Sequence, residues 1–183
     1  GDQDGTHRSL KREDLDPEQS ILAQRKDPDR YPEITHLGQS YERIKIYREW
    51  SFGRYTLPRL PQKADLRNDF LSDSGREEPN LALVLNRLRS LPEAKATILS
   101  SLRTLYEGIT DFDVIIQGGT VQLFLQEGGQ TMPATRLSDG TLRFLSLLSI
   151  LCHPAPPPLV CIEEPELGLH PDDLPELARL LRR

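Results

Sequence analysis

The feature that most constrains the fold is a short apolar run followed at once by two acidic residues. Residues 159–162 read Leu-Val-Cys-Ile, and they precede Glu163, Glu164 and Pro165. Such a run is suited to a central strand covered on both faces, as in the parallel sheets of α/β proteins. Pro165 has no backbone donor and therefore ends the strand. The sequence thus predicts two carboxylates at the carboxyl end of a central strand, where open α/β sheets bind their ligands.

A largely apolar helix is predicted directly before that strand. From Ser138 to about Cys152, nearly every residue after Arg143 is apolar or small, which is typical of a helix buried on most sides. Ser138 is a favourable N-cap residue, and the amides of a helix start attract phosphate. Four prolines between residues 153 and 158 end the helix.

The remaining segments predict further helices and a β-hairpin. Apolar residues at helical spacing predict helices over residues 33–50, 80–91 and 92–106. Gly118-Gly119 between two strand-like segments predicts a hairpin, and Gly128-Gly129 a second turn. Asp173 with Glu176 has the capping-box spacing that opens a last helix. Residues 1–33 are polar, and we expect little order there, with one α/β domain over residues 34–183.

The order of these motifs resembles the second half of an ABC-type ATPase head, as found in the RecF, SMC and OLD-like families. LSDGTLR at residues 137–143 resembles the ABC signature, and IEEPELGLHP at residues 162–171 resembles a Walker B strand followed by a D-loop. The resemblance implies part of a P-loop NTPase fold, with a helical segment, a β-hairpin, a signature helix and a Walker B strand. It also implies ATP and Mg²⁺ as cofactors.

The resemblance assigns a role to each candidate site residue. Glu164 would be the catalytic carboxylate that polarises the attacking water, and Glu163 would hold Mg²⁺ where most family members have Asp. Ser138 and Gly140 would contact the γ-phosphate of an ATP molecule bound by a second head of a homodimer. His170 occupies a D-loop position where many members carry Asp, near the partner's site. Asp139 should point away from phosphate, towards the backbone or a cation.

No GxxxxGK[ST] motif occurs in the 183 residues, so the loop that cradles the phosphates is missing from this sequence. The chain begins with glycine and stops inside an amphipathic pattern. We therefore expect a fragment of a longer ATPase, and we expect the fragment alone to be inactive.

Two readings of the residues remain open beside the resemblance. The first is a hydrolytic metal centre with Glu163, Glu164, Glu166 and His170 as ligands. The second is a nucleic-acid surface between residues 42 and 67, although a packed core with solvated charges is favoured there. That segment contains the following basic, acidic and aromatic residues: Arg43, Lys45, Arg48, Arg54, Arg59, Lys63 and Arg67; Glu42, Glu49 and Asp65; Tyr41, Tyr47, Trp50, Phe52 and Tyr55. If the basic segment binds nucleic acid, the alternative function is a DNA clamp. A second alternative function is a defence or regulatory subunit that uses ATP as a switch.

Composition limits the compartment and the partners. Net charge is −5, which argues against general coating of nucleic acid but leaves room for a local basic patch. No apolar run approaches the roughly 18 residues that span a membrane, and we expect no signal peptide in the first residues, because they contain no apolar stretch. We expect a cytoplasmic protein without a membrane partner, and we expect Cys152 and Cys161 to be buried, reduced thiols.

Overall fold

The computed structural model describes residues 16–24, 26–48, 50, 53, 56–72 and 78–182. The fold mixes helices with short parallel and antiparallel sheets. The chain divides into two compact units, the first ending at Ile44 and the second beginning at Lys45.

The described part of the first unit contains two helices. Helix α1 spans Ile21–Gln24 and helix α2 spans Pro32–Glu42. The two helices lie close together at Gly38 of α2 and Leu22 of α1. A Cβ built on Gly38 would lie only 3.0 Å from the carbonyl oxygen of Leu22. The helix predicted over residues 33–50 is correct as far as residue 42 only. Residues 1–15 of the segment predicted to be poorly ordered lie outside the described residues, and its boundary at residue 33 stays a prediction.

The second unit is built on a hairpin and two helices. Strand β2 (Gln62–Lys63) and strand β3 (Ile109–Gln117) both pair antiparallel with β4 (Thr120–Glu127), as does β5 (Gln130–Pro133). Helix α3 (Leu81–Arg89) and helix α4 (Pro92–Leu105) contribute buried leucine and isoleucine side chains to the same core as the sheet. The two helices, the hairpin and the second turn are confirmed.

The two glycines of the hairpin turn account for its backbone conformation. Gly118 and Gly119 have φ angles of 57° and 76°, a left-handed conformation that side chains with a Cβ rarely adopt. Along β4, Val121, Leu123 and Leu125 are buried, while the residues between them are more exposed. The alternation seen in the sequence therefore turns one face of the sheet to the core.

Helix α5 (Asp139–Leu151) leads towards strand β6 (Val160–Ile162). Residues 141–150 of α5 are all buried, which confirms the predicted helix surrounded by protein. Strand β6 pairs in parallel with β1 (Lys45–Tyr47), with Lys45 opposite Val160 and Tyr47 opposite Ile162. The helix predicted around residues 44–47 is therefore wrong, because residues 45–47 form a strand that pairs with β6.

Strand β6 is less covered than its sequence predicts. In the described part of the chain it belongs to a two-stranded sheet, and Cys161 is exposed. The prediction of a strand covered on both faces is therefore wrong, as is the prediction that Cys161 is buried. Cys152, at the end of α5, is buried as predicted.

Candidate functional site

The start of α5 is closed by its N-cap residue, Ser138. The Ser138 Oγ accepts a hydrogen bond from the backbone N–H of Thr141 at 3.0 Å, which confirms the predicted cap. It also lies 2.7 Å from the Thr141 Oγ1, which in turn donates to the hydroxyl oxygen of Tyr106 at 3.2 Å. Three hydroxyl groups therefore form a continuous chain beside the first turn of the helix.

Asp139 turns towards a cation, as expected, and the cation is Arg59. Arg59 is 7% exposed, and its guanidinium donates to Asp139 Oδ1 and to the carbonyl of Leu137. Its Nε donates to the carbonyl of Gly53 at 2.7 Å. The arginine thus ties the residues on both sides of Ser138 to a segment about 80 residues earlier in the chain.

Ser138, Gly140 and His170 line one cavity of about 600 Å³. Its walls come from the end of α4, the start of α5 and the segment after β6. The lining residues are Thr104, Leu105, Tyr106, Ser138, Gly140, Gly168, Leu169, His170, Pro171, Asp172 and Asp173. A Cβ on Gly140 would lie 3.0 Å from the carbonyl oxygen of Gly168, so only glycine allows this approach without displacement. The structure therefore brings together all three residues predicted to bind the cofactor.

His170 is fixed by the short turn that follows it. Pro171–Asp173 forms a 3₁₀ turn, and helix α6 begins only at Leu174. The His170 Nδ1 accepts from the backbone of Asp172 at 3.3 Å, and the backbone N–H of His170 donates to Asp173 Oδ2 at 3.1 Å. The capping box predicted for Asp173 and Glu176 is therefore wrong, because Asp173 is used one turn earlier, with His170.

Glu163 and Glu164 follow β6, and both side chains are exposed. The backbone N–H of Glu163 donates to the carbonyl of Tyr47 at 2.9 Å, and its Oε1 lies 4.0 Å from the Nε of Arg48. Glu164 has a φ of +45°, a left-handed conformation that costs a non-glycine residue about 1–3 kcal/mol. The described lining of the cavity does not include either glutamate.

Arg143 and Trp50 complete the surroundings of the two glutamates. Arg143 is 2% exposed on α5 and donates to the carbonyl of Glu164. Its guanidinium carbon lies 4.1 Å from the centre of the Trp50 ring, and the Trp50 Nε1 donates to the carbonyl of Glu163 at 3.2 Å. Burial lowers the pKa of Arg143 to about 10, so it remains charged at neutral pH. Sequence reasoning missed both roles, although an arginine inside an apolar helix was a visible signal.

The described residues include no group of three or more His, Cys, Asp or Glu side chains that could hold a metal ion. Glu163, Glu164, Glu166 and His170 therefore do not form the alternative hydrolytic centre. A lone exposed carboxylate such as Glu163 does fit Mg²⁺, which proteins often bind through one or two carboxylates together with phosphate oxygens.

Much of the basic and aromatic segment is used within the chain. Lys63 pairs with Glu78 at 2.7 Å, and Arg67 pairs with Asp69, whose pKa it lowers to about 2. Tyr47 is buried. Glu49, Phe52, Arg54 and Tyr55 lie outside the described residues. Binding of DNA by this segment remains the less favoured alternative, and it stays untested.

Within the described ranges, no helix has the length and apolar character needed to cross a membrane. A comparison with curated proteins finds none that matches the chain. A family model does match, over residues 6–183, and its description reads "AAA domain, putative AbiEii toxin, Type IV TA system". That match covers nearly the whole chain, so the chain belongs to this family of AAA-type ATPase domains.

Proposed function

We propose that this chain supplies the signature and Walker B parts of an ABC-type ATPase that works as an ATP-sandwiched dimer. The observation that carries the proposal is the cavity at the start of α5, where Ser138, Gly140 and His170 converge. The three residues come from two motifs about 30 positions apart, and a shared cavity is what a common ligand requires.

The cavity suits a terminal phosphate. The first amides of α5 have no carbonyl acceptor within the helix, although the Thr141 amide is bonded to the Ser138 Oγ, and the helix dipole favours an anion at this end. Gly140 has no side chain, so a phosphate can approach the backbone closely. Asp139 is neutralised by Arg59, which limits repulsion of the ligand's charge. These features support γ-phosphate as the group that Ser138 and Gly140 bind.

Glu164 and Glu163 carry the hydrolytic half of the proposal. Glu164 orients and polarises the attacking water, while Glu163 would hold Mg²⁺, which would neutralise charge on the phosphates. Both carboxylates are exposed and therefore accessible to a nucleotide. The backbone around them is anchored to β1 and α5, so the side chains start from a defined position.

A second copy of the protein is part of the proposal. The carboxylates lie outside the cavity that Ser138 lines, so one nucleotide would use the carboxylates of one head and the cavity of the other. ATP binding then closes the dimer, and hydrolysis reopens it.

The test is Ser138→Arg in the protein at its natural length, since no GxxxxGK[ST] motif occurs in the 183 residues. The larger cation fills the corner meant for the partner's phosphate. ATP should still bind to the monomer, but ATP-driven dimerisation, followed by light scattering, should be lost. Thr135→Arg, at an exposed position three residues earlier, is the matched control and should dimerise normally. Unchanged dimerisation of Ser138→Arg would refute the role in trans.

The family description favours one alternative. It names a toxin–antitoxin system, a setting in which the head would act as an ATP-dependent switch with little turnover. A single-turnover hydrolysis rate well below the rate at which the ATP-bound dimer opens would support that switch. Strongly salt-dependent DNA binding, lost on neutralising Arg43, Lys45 and Arg48, would instead support a DNA clamp.

A further inference from the structure

The backbone of Glu164 has a left-handed conformation, which a residue with a side chain does not favour. A glutamate at a φ of +45° needs surrounding contacts to hold it there. Two hydrogen bonds converge on its carbonyl oxygen, from the backbone N–H of Leu167 at 3.0 Å and from the guanidinium of Arg143. The first bond is local to the turn, whereas the second comes from a buried side chain on α5.

Trp50 binds Glu163, the residue before Glu164, and together with Arg143 it forms a clamp on the backbone of the two glutamates. Its indole N–H donates to the carbonyl of Glu163, and its ring lies under the guanidinium of Arg143 at 4.1 Å. A stacked pair of side chains therefore binds the carbonyls of both glutamates. The side-chain carboxylates receive none of these hydrogen bonds, so they remain available for chemistry.

We infer that Trp50 and Arg143 are positioning residues for the reaction, which hold Glu164 in its left-handed conformation and so aim its carboxylate. The inference rests on the proposed function, because it takes Glu164 as the group that orients the attacking water. Neither residue touches the nucleotide in this scheme. Both residues hold the peptide groups of Glu163 and Glu164, and the Arg143 guanidinium also attracts the Glu164 and Glu166 carboxylates electrostatically.

The chemistry of the pair requires arginine and tryptophan in particular. A planar guanidinium can stack on an indole ring and still donate in its own plane, whereas the ammonium of lysine has no plane that can stack and meets the ring only as a point charge. Tryptophan supplies the ring and the N–H donor together, whereas phenylalanine supplies the ring alone. Each conservative replacement therefore removes one part of the clamp and leaves another.

The experiment compares Arg143→Lys, Arg143→Met and Trp50→Phe with the unaltered protein at its natural length. A misplaced carboxylate can cost about 10²-fold in rate, so we expect kcat to fall by up to about that factor in Arg143→Met. The fall in kcat should be smaller in Arg143→Lys and in Trp50→Phe. KM for ATP should stay within about twofold, because the phosphate contacts at Ser138 and Gly140 are not altered. Arg136→Met, an exposed arginine just before α5, is the matched control and should retain the normal kcat.

Two readouts test the clamp without catalysis. Trp50 is the single tryptophan of the chain, so its emission reports the stack directly. Loss of the guanidinium in Arg143→Met should shift that emission to longer wavelength and speed hydrogen exchange of the Leu167 amide. If neither changes in Arg143→Met or Arg143→Lys, the clamp is refuted, whatever the rate does.

The remaining outcomes separate this inference from the proposed function. If the spectrum and exchange change but kcat does not, while Glu164→Gln is slow, then the clamp exists without positioning Glu164, and the inference is overturned. If Glu164→Gln itself hydrolyses at the normal rate, the assignment of Glu164 fails and the inference fails with it. Reduced kcat in Arg143→Lys with unchanged KM, altered emission and normal stability would support it even if Arg143→Met does not fold.

Discussion

The cavity at the start of α5 and the strand end at Glu163 are stabilised in opposite ways. At the cavity, the side chains expected to meet the ligand are themselves hydrogen-bonded, as Ser138 is to Thr141 and His170 is to Asp172. At the strand end, the hydrogen bonds fall on the backbone of Glu163 and Glu164, and the carboxylates stay exposed.

The difference matches what each region is proposed to do. A binding corner gains from side chains that are ordered before the ligand arrives, because less conformational entropy is lost on binding. A carboxylate that must follow a water molecule through a reaction gains from a fixed starting point and a side chain that can adjust.

The largest effect is expected at the strand end. Glu164→Gln keeps the shape of the side chain but makes it a far poorer base, so the hydrolysis rate should fall roughly 10²–10⁴-fold. Nucleotide binding and the ATP-bound dimer should persist, because the cavity is unchanged. Single-turnover hydrolysis and dimer lifetime measure both, with Glu166→Gln as an exposed control two residues away. A normal hydrolysis rate in Glu164→Gln would refute the catalytic role proposed for Glu164.

A smaller effect is expected where the cavity is anchored. Arg59→Met removes a buried arginine that binds Asp139 and the carbonyl of Leu137. Asp139 is half exposed and can be rehydrated, so the free energy of unfolding should fall by about 2–3 kcal/mol, less than for a fully buried pair. Lys63→Met breaks the exposed pair with Glu78 and should leave urea denaturation unchanged. Equal losses in the two variants would contradict the anchoring role.

The smallest effect separates the two regions directly. Ser138→Ala removes the N-cap of α5 and should lower the free energy of unfolding by about 1 kcal/mol. Glu163→Gln should change stability less, since its carboxylate is exposed, and should instead weaken Mg²⁺-dependent nucleotide binding. Urea denaturation of both variants, beside Thr135→Ala at an exposed site, measures the contrast. A larger stability loss in Glu163→Gln than in Ser138→Ala would reverse it.

Local patterns predicted the elements whose causes are local. The hairpin follows from Gly118-Gly119 and the alternation along β4, and the cap at Ser138 follows from its position before α5. The boundary of α2 was missed because Ile44 and Tyr47 continue the helical spacing of the preceding residues. Those residues become a strand through pairing with Val160 and Ile162, which no local pattern contains.

The candidate site divides in the same way. Its motif residues, Ser138, Gly140, Glu163, Glu164 and His170, could be proposed from their spacing, and their roles stay predictions. The residues that support them could not, because Arg59 reaches Asp139, and Trp50 reaches Arg143, across about 80 and 90 residues of sequence. The exposure of Cys161 was also hidden, since an apolar run has the same composition whether one or both of its faces are covered.

The pairing of β1 with β6 has a consequence for how the chain folds. These strands are more than a hundred residues apart in sequence, whereas β3 and β4 are joined by a two-residue turn. A hairpin of that kind forms in about 1–10 μs, but closing a long loop must first overcome its entropy. During synthesis, the hairpin can form before β6 has left the ribosome. Glu163 and Glu164 would then be among the last parts of the domain to assemble, so a nascent chain would hold the carboxylates proposed for hydrolysis in place only after its core had formed.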